Sequence, residues 1–170
     1  DVFISIFNGI AQSDKTNLNT EQLLNSVPSS FFVERYPKQF LDIFIGLLKL
    51  KEPPLSINRI IYIDKIVEKI WDTIENEEPV VTSSSWLTTS INSLAGNVVE
   101  YWIKRFEIEA NKNEEQTITH IETYKSHFVK IINGNTSREK LARPILCNVI
   151  TFLFFHDYEW VKNNLIPLFE

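Results

Sequence analysis

The stretch "SINRIIYIDKIVEKIWDTIENEE", residues 56–78, decides the fold class. Ile60, Ile63, Val67, Ile70 and Ile74 recur at alternating three- and four-residue steps, and Trp71 widens the stripe. That spacing puts the apolar groups on one face of a 3.6-residue helix. Asp64, Glu68, Asp72 and Glu75 run up the opposite side with Lys65 and Lys69 interleaved. Paired carboxylates act as acid and base when their environments separate their pKa values. No partner group accompanies these, so the row reads as a solvated face.

Helical signals continue in both directions. Upstream, Pro37 suits the first position of a helix over "PKQFLDIFIGLLKLK", because its missing N–H is not needed there. That segment is apolar almost all round, as in a helix buried on several sides, and Pro53-Pro54 stops it. Residues 1–12 read as a helix, Asn19 or Thr20 caps a short one ending before Pro28, and "PSSFFVERY" forms a helical turn. Downstream, Glu77-Glu78-Pro79 and "VVTSSS" make a connector. In "TITHIETYKSHFVKIING", Thr119 and Glu122 have capping-box spacing, Ile121, Tyr124, Phe128 and Ile132 form the apolar face, and Gly134 is a stop. "TSREKLARPILCNVITFLFF" contains Pro144, which either kinks that helix or restarts it. Its apolar run from Pro144 to Phe155 reads as a core helix, and Asp157 caps "DYEWVKNNLIPLFE".

No run alternates with period two between hairpin turns, and four glycines are few for a multi-stranded sheet. The expected fold is therefore all-α. Antiparallel helix pairs of roughly 40 residues give an irregular array, a HEAT-like solenoid segment. A single orthogonal helical bundle is the competing arrangement.

The 170 residues fit one helical domain, residues 1–170, with a sub-boundary near 77–85. The chain has no methionine and begins "DVFISIFNG", so it is expected to be a fragment of a longer protein. A net charge of −5 tells mildly against a dedicated nucleic-acid binder, whose affinity rests on Lys and Arg neutralising phosphates. The lone Cys147 lies within "RPILCNVITFLFF" and reads as a buried, reduced thiol, pointing to a cytoplasmic protein. No stretch reaches the ~18 apolar residues of a membrane span, so no membrane partner is expected.

No catalytic motif emerges. His120, Tyr124 and His127 share a helix face, but a metal would need a third ligand, and Tyr124 belongs to the apolar stripe. Arg138, Lys140 and Arg143 cluster at a helix start without the Gly-rich turn of a phosphate site. Ser83-Ser84-Ser85 has no neighbouring base and reads as linker and cap. Trp86, Trp102 and Trp160 are either core residues or interface anchors. Neither a catalytic residue nor a cofactor or metal is expected.

"WLTTSINSLAGNVVEYWIKRF", residues 86–106, interrupts an amphipathic pattern with Asn92, Ser93 and Gly96. It resembles the Trp-Leu…Ile-Asn-His-Pro-Ala-Gly…Trp signature of an uncharacterised bacterial helical domain family. The close, with Asp157, Trp160 and Leu165-Ile166-Pro167-Leu168-Phe169, is similar to the same family. The likeness covers about residues 83–170. Where the family has His-Pro this chain has Ser93-Leu94, so no role of that histidine carries over. Such domains follow a sirtuin-like domain in large proteins associated with antiphage defence, where a separate NAD-hydrolysing part would do the chemistry. A family proline before Ala-Gly would open a new helix. Here Asn92 or Ser93 would then be its N-cap, with Gly96 allowing close backbone approach.

The resemblance thus implies a non-catalytic scaffold, sensor or regulatory interaction region of a bacterial multidomain defence protein. Its partner would be another protein or other domains of its own chain. Trp86, Asn92, Gly96, Trp102, Asp157 and Trp160 are its signature residues. The competing readings are an enzyme with a site assembled from separate helices, and a nucleic-acid-binding helical array.

Overall fold

A computed structural model describes Ser5 and residues 33–48, 56–74, 85–111 and 117–169, with side chains at all of these except 47 and 117–121. The helices expected over 1–12 and before Pro28, most of "PSSFFVERY", the Pro53-Pro54 stop and the connector from Glu77 lie outside the described residues. Among the described residues every regular element is helical and none is a strand. The chain divides into two compact units, Asp1–Thr73 and Ile74–Glu170.

In the first unit α1 (Pro37–Leu48) packs against α2 (Ile57–Thr73). Pro37 occupies the first helical position. Phe40, Leu41, Phe44 and Ile45 are buried, and the Phe40 and Phe44 rings lie 4.4 Å apart. On α2 the stripe Ile60, Ile63, Val67, Ile70 and Trp71 is buried as its spacing predicts, and Ile66 joins it. Burying each such side chain contributes about 1.5–3 kcal/mol, more than any helix propensity on the same residues. Glu68 and Asp72 face solvent.

The second unit begins with α3 (Trp86–Asn92) and α4 (Leu94–Ala110), followed by α5 (Thr117–Asn133) and α6 (Ser137–Asn148). Two short helices, α7 (Ile150–His156) and α8 (Tyr158–Asn164), lead to a 3-10 turn at Ile166–Phe169. Helices α4, α5 and α6 contact one another pairwise, α3 lies on α4 and α6, and α7 pairs with α8. Between them Val98, Trp102, Phe106, Phe128, Ile131, Leu141, Leu146, Leu153 and Val161 are buried. The Phe106 ring meets Phe128 at 6.1 Å and Phe152 edge-on at 5.9 Å.

Of the two alternatives at Pro144, a restart is excluded: helix α6 runs through it, and the chain restarts only at Val149, where φ −105° and ψ 14° leave helical geometry before α7. The run Pro144 to Phe155 is not one core helix. Ile145, Leu146 and Leu153 are buried, whereas Phe155 is 82% exposed and Phe154 40% exposed. The break at Val149 resets the helical phase, so the last two phenylalanines point away from the core. Helix α5 starts at Thr117, two residues before Thr119, whose side chain is outside the described ones. No helix among the described residues is long and apolar enough to cross a membrane.

Candidate functional site

The interruption after Trp86 is a corner between two helices. Ser93 has extended backbone (φ −83°, ψ 154°) and caps α4, its Oγ accepting from the Gly96 N–H at 2.9 Å. The same hydroxyl donates to the Ser90 carbonyl at 2.7 Å, closing α3. A Cβ at Gly96 would overlap the Ser90 carbonyl oxygen and lie 2.8 Å from its carbon, so only glycine lets the two helices approach this closely. Buried Asn97, in the amide orientation that satisfies both groups, donates to the Ser93 and Ile91 carbonyls at 2.9 Å each. Asn92 stays exposed, its Nδ2 returning to the Thr88 carbonyl at 2.9 Å.

Further along α4 the side chains turn inward. Trp102 is 2% exposed and stacks on His127 of α5, with centroids 4.3 Å apart and planes at 6°. Burial, reinforced by the charge of Lys130, depresses the His127 pKa to about 4. Its imidazole is therefore neutral at ordinary pH. Arg105 and Glu109 form a buried pair at 3.2 Å, with the guanidinium 5.6 Å from the Tyr124 ring centroid. Such a pair is costly to break from one side, about 3–5 kcal/mol.

Asp157 caps α8, its Oδ1 accepting from the Trp160 N–H at 2.9 Å, and its other oxygen accepts from Lys125 at 2.5 Å. The Lys125 bond, then the Trp160 amide, hold the Asp157 carboxyl below its usual pKa despite partial burial. Burial alone would lower the Lys125 pKa, but hydrogen bonds to Asp157 and Glu122 more than offset it, leaving it raised. Trp160 is half-buried, edge-on to Phe128 at 6.1 Å.

The Arg138/Lys140/Arg143 cluster splits up. Glu139, buried beside Gly134, accepts from the Thr136 N–H at 2.9 Å, the Thr136 hydroxyl and Arg138 Nε at 2.7 Å, completing a capping box. Burial pushes its pKa up, yet the Arg138 and Thr136 hydrogen bonds outweigh that and leave it lowered. Arg143 donates to the Ile131 carbonyl at 3.2 Å and to the Gly134 carbonyl, tying down the C-terminal end of α5. Of the three, Lys140 is exposed and its side chain makes no hydrogen bond or ion pair among the described residues.

The six signature residues thus occupy separate places. Asn92 and Gly96 form the corner, Trp102 the core, and Asp157 and Trp160 the start of α8. Trp86 is 58% exposed and borders a groove of about 340 Å³ lined also by Lys140, Arg143, Pro144, Cys147 and Leu168. Cys147 is half-buried on this groove rather than in the core, and burial raises its pKa against the opposing charge of Arg143. His120 lies outside the described side chains. Among the described residues no three His, Cys, Asp or Glu groups converge as metal ligands.

Sequence reading missed a second surface. Phe154, Phe155 and Tyr158 cluster on α7 and α8, with Phe154 edge-on to Tyr158 at 4.8 Å and to Phe155 at 6.5 Å. Lys162 stands 5.7 Å over the Tyr158 ring. All three aromatics are exposed. Their apolar composition concealed them in a run that looked like core. No family model, curated protein or solved structure matches this chain.

Proposed function

We propose that this chain is a non-catalytic helical interaction region, the scaffold, sensor or regulatory part of a bacterial multidomain protein of antiphage defence. The observation that carries it is the exposed aromatic cluster of Phe154, Phe155 and Tyr158 on a unit that buries Trp102, Phe106 and Phe128. Exposed apolar clusters on folded domains commonly mark interfaces, and aromatic side chains dominate interface energetics. The structural duties of Lys125, Glu139, Arg143 and Asp157 support the non-catalytic part of the reading, since each is committed to a cap or an ion pair. The resemblance of residues 83–170 supplies the defence context, with another protein or another domain of the same polypeptide as the partner, and the lone Cys147, read as a reduced thiol, supports a cytoplasmic setting. The accompanying fold reading is a HEAT-like segment of helix pairs. Within the second unit, the mutual packing of α4, α5 and α6 favours its competitor, a helical bundle.

The test is affinity capture with the chain as bait in lysates of uninfected and phage-infected bacteria. A specific partner is expected, with affinity falling roughly 30-fold (about 2 kcal/mol) on Phe155→Ala or Tyr158→Ala. Both side chains are exposed, so the fold should persist in each variant. Hydrolase or transferase activity of the chain alone would overturn the proposal.

A further inference from the structure

We infer that the groove between the start of α3, one face of α6 and the C-terminal 3-10 turn binds a small organic anion with a flat apolar body. Lys140, Arg143, Pro144 and Cys147 stand at i, i+3, i+4 and i+7, so they share one face of α6. The same helix turns Leu141, Ala142, Ile145 and Leu146 into the core, which leaves the cationic face outward. Trp86 and Leu168, from opposite ends of the second unit, wall this face into a groove of about 340 Å³. That volume lies at the small end of the roughly 300–1,000 Å³ typical of small-molecule sites.

The chemistry of the lining selects the ligand. Among the described residues it holds two cations and no carboxylate, in a chain whose net charge is −5. Arg143 is fixed by the Ile131 and Gly134 carbonyls, which orient the guanidinium without a carboxylate neutralising it. Lys140 is exposed and its side chain makes no hydrogen bond or ion pair among the described residues, so its ammonium is available to an anionic head group. Trp86, anchored at its backbone by Ser90 Oγ donating to its carbonyl at 2.8 Å, keeps 58% of its surface exposed. An indole in that position offers a stacking face, and the Pro144 ring and Leu168 complete an apolar slot. A carboxylate or phosphate thus sits at Lys140 and Arg143, and a planar apolar body sits beside Trp86. This inference goes beyond the interaction surface proposed above, which uses α7 and α8.

Cys147 is the only cysteine of the sequence and lines the groove, so its alkylation by iodoacetamide reports occupancy there. Naphthalene-2-carboxylate, added to the full chain, should slow that alkylation saturably. The isosteric naphthalene-2-carboxamide should bind about tenfold more weakly, because charge-assisted hydrogen bonds are roughly twice as strong as neutral ones. Lys140→Ala should shrink the carboxylate's advantage over the amide and leave the amide unchanged, Arg143 retaining the remainder, whereas Trp86→Ala should weaken both probes. Both substitutions remove exposed side chains, and circular dichroism is the check that each variant folds. A naphthyl phosphate arm identifies the natural head group: tighter binding than the carboxylate assigns phosphate, equal or weaker binding assigns carboxylate. The inference is overturned by absence of saturable protection up to probe solubility, by equal protection from carboxylate and amide, or by indifference to Lys140→Ala.

Discussion

His127 lies flat against Trp102, and its pKa of about 4 has a direct consequence for stability. In the unfolded chain the imidazole returns to its ordinary value near 6.5. Between those two pH values the unfolded state binds more protons than the folded one, so stability rises with pH across that window. The contribution is fully present above about pH 6.5 and is lost as pH falls from there towards 4. Glu139 and Asp157 are also less stabilising in acid, but both carboxyls are held below their ordinary range, so their losses fall lower on the pH scale. Urea unfolding at pH 7 and pH 4.5, on the native chain and on His127→Phe, separates these effects. The native chain should lose more stability than the variant over this interval. Equal losses would mean that His127 is solvated when folded and that its stacking on Trp102 is not maintained.

The corner between α3 and α4 shows why helices here meet where they do. Two helices of 7 and 17 residues share one serine, whose hydroxyl serves the end of the first and the start of the second. Gly96 then allows the α4 backbone to touch the Ser90 carbonyl. Gly96→Ala forces backbone against backbone, so it should cost about 2–3 kcal/mol despite the better helix propensity of alanine. Chemical denaturation followed by tryptophan fluorescence measures this, and an unchanged midpoint would refute the close approach. Much of this corner was legible in the sequence, because N-caps and glycine punctuation act within three or four residues. The α2 stripe was legible for the same reason: its period persists through 17 residues without a proline. What was not legible depends on phase and distance. Phe154 and Phe155 share the composition of Leu153, and only the break at Val149 decides which of them faces outward. The groove joins residue 86, residues 140–147 and residue 168, which no local pattern relates.

At the scale of the whole molecule, the division between Asp1–Thr73 and Ile74–Glu170 sets what can fold alone. Each polar tie described in the second unit begins and ends within it. The Ser93 corner, the Arg105–Glu109 pair, the Lys125–Asp157 bridge and the Glu139 capping box all lie between residues 90 and 160. Its aromatic contacts are equally internal, running from Trp102 and Phe106 to His127, Phe128, Phe152 and Trp160. A unit of this size with its own core is expected to unfold cooperatively without its neighbour. A fragment starting in the "VVTSSS" connector and running to Glu170 should therefore keep its helical circular dichroism and unfold in one transition. Its tryptophan fluorescence should stay blue-shifted, because Trp102 is buried and stacks on His127 of α5. The same boundary should appear when the full chain is digested briefly with a protease of broad specificity, as a resistant fragment beginning between residues 75 and 85. A fragment that is unfolded alone, together with digestion that spares no C-terminal piece, would show that the second unit needs the first to complete its core.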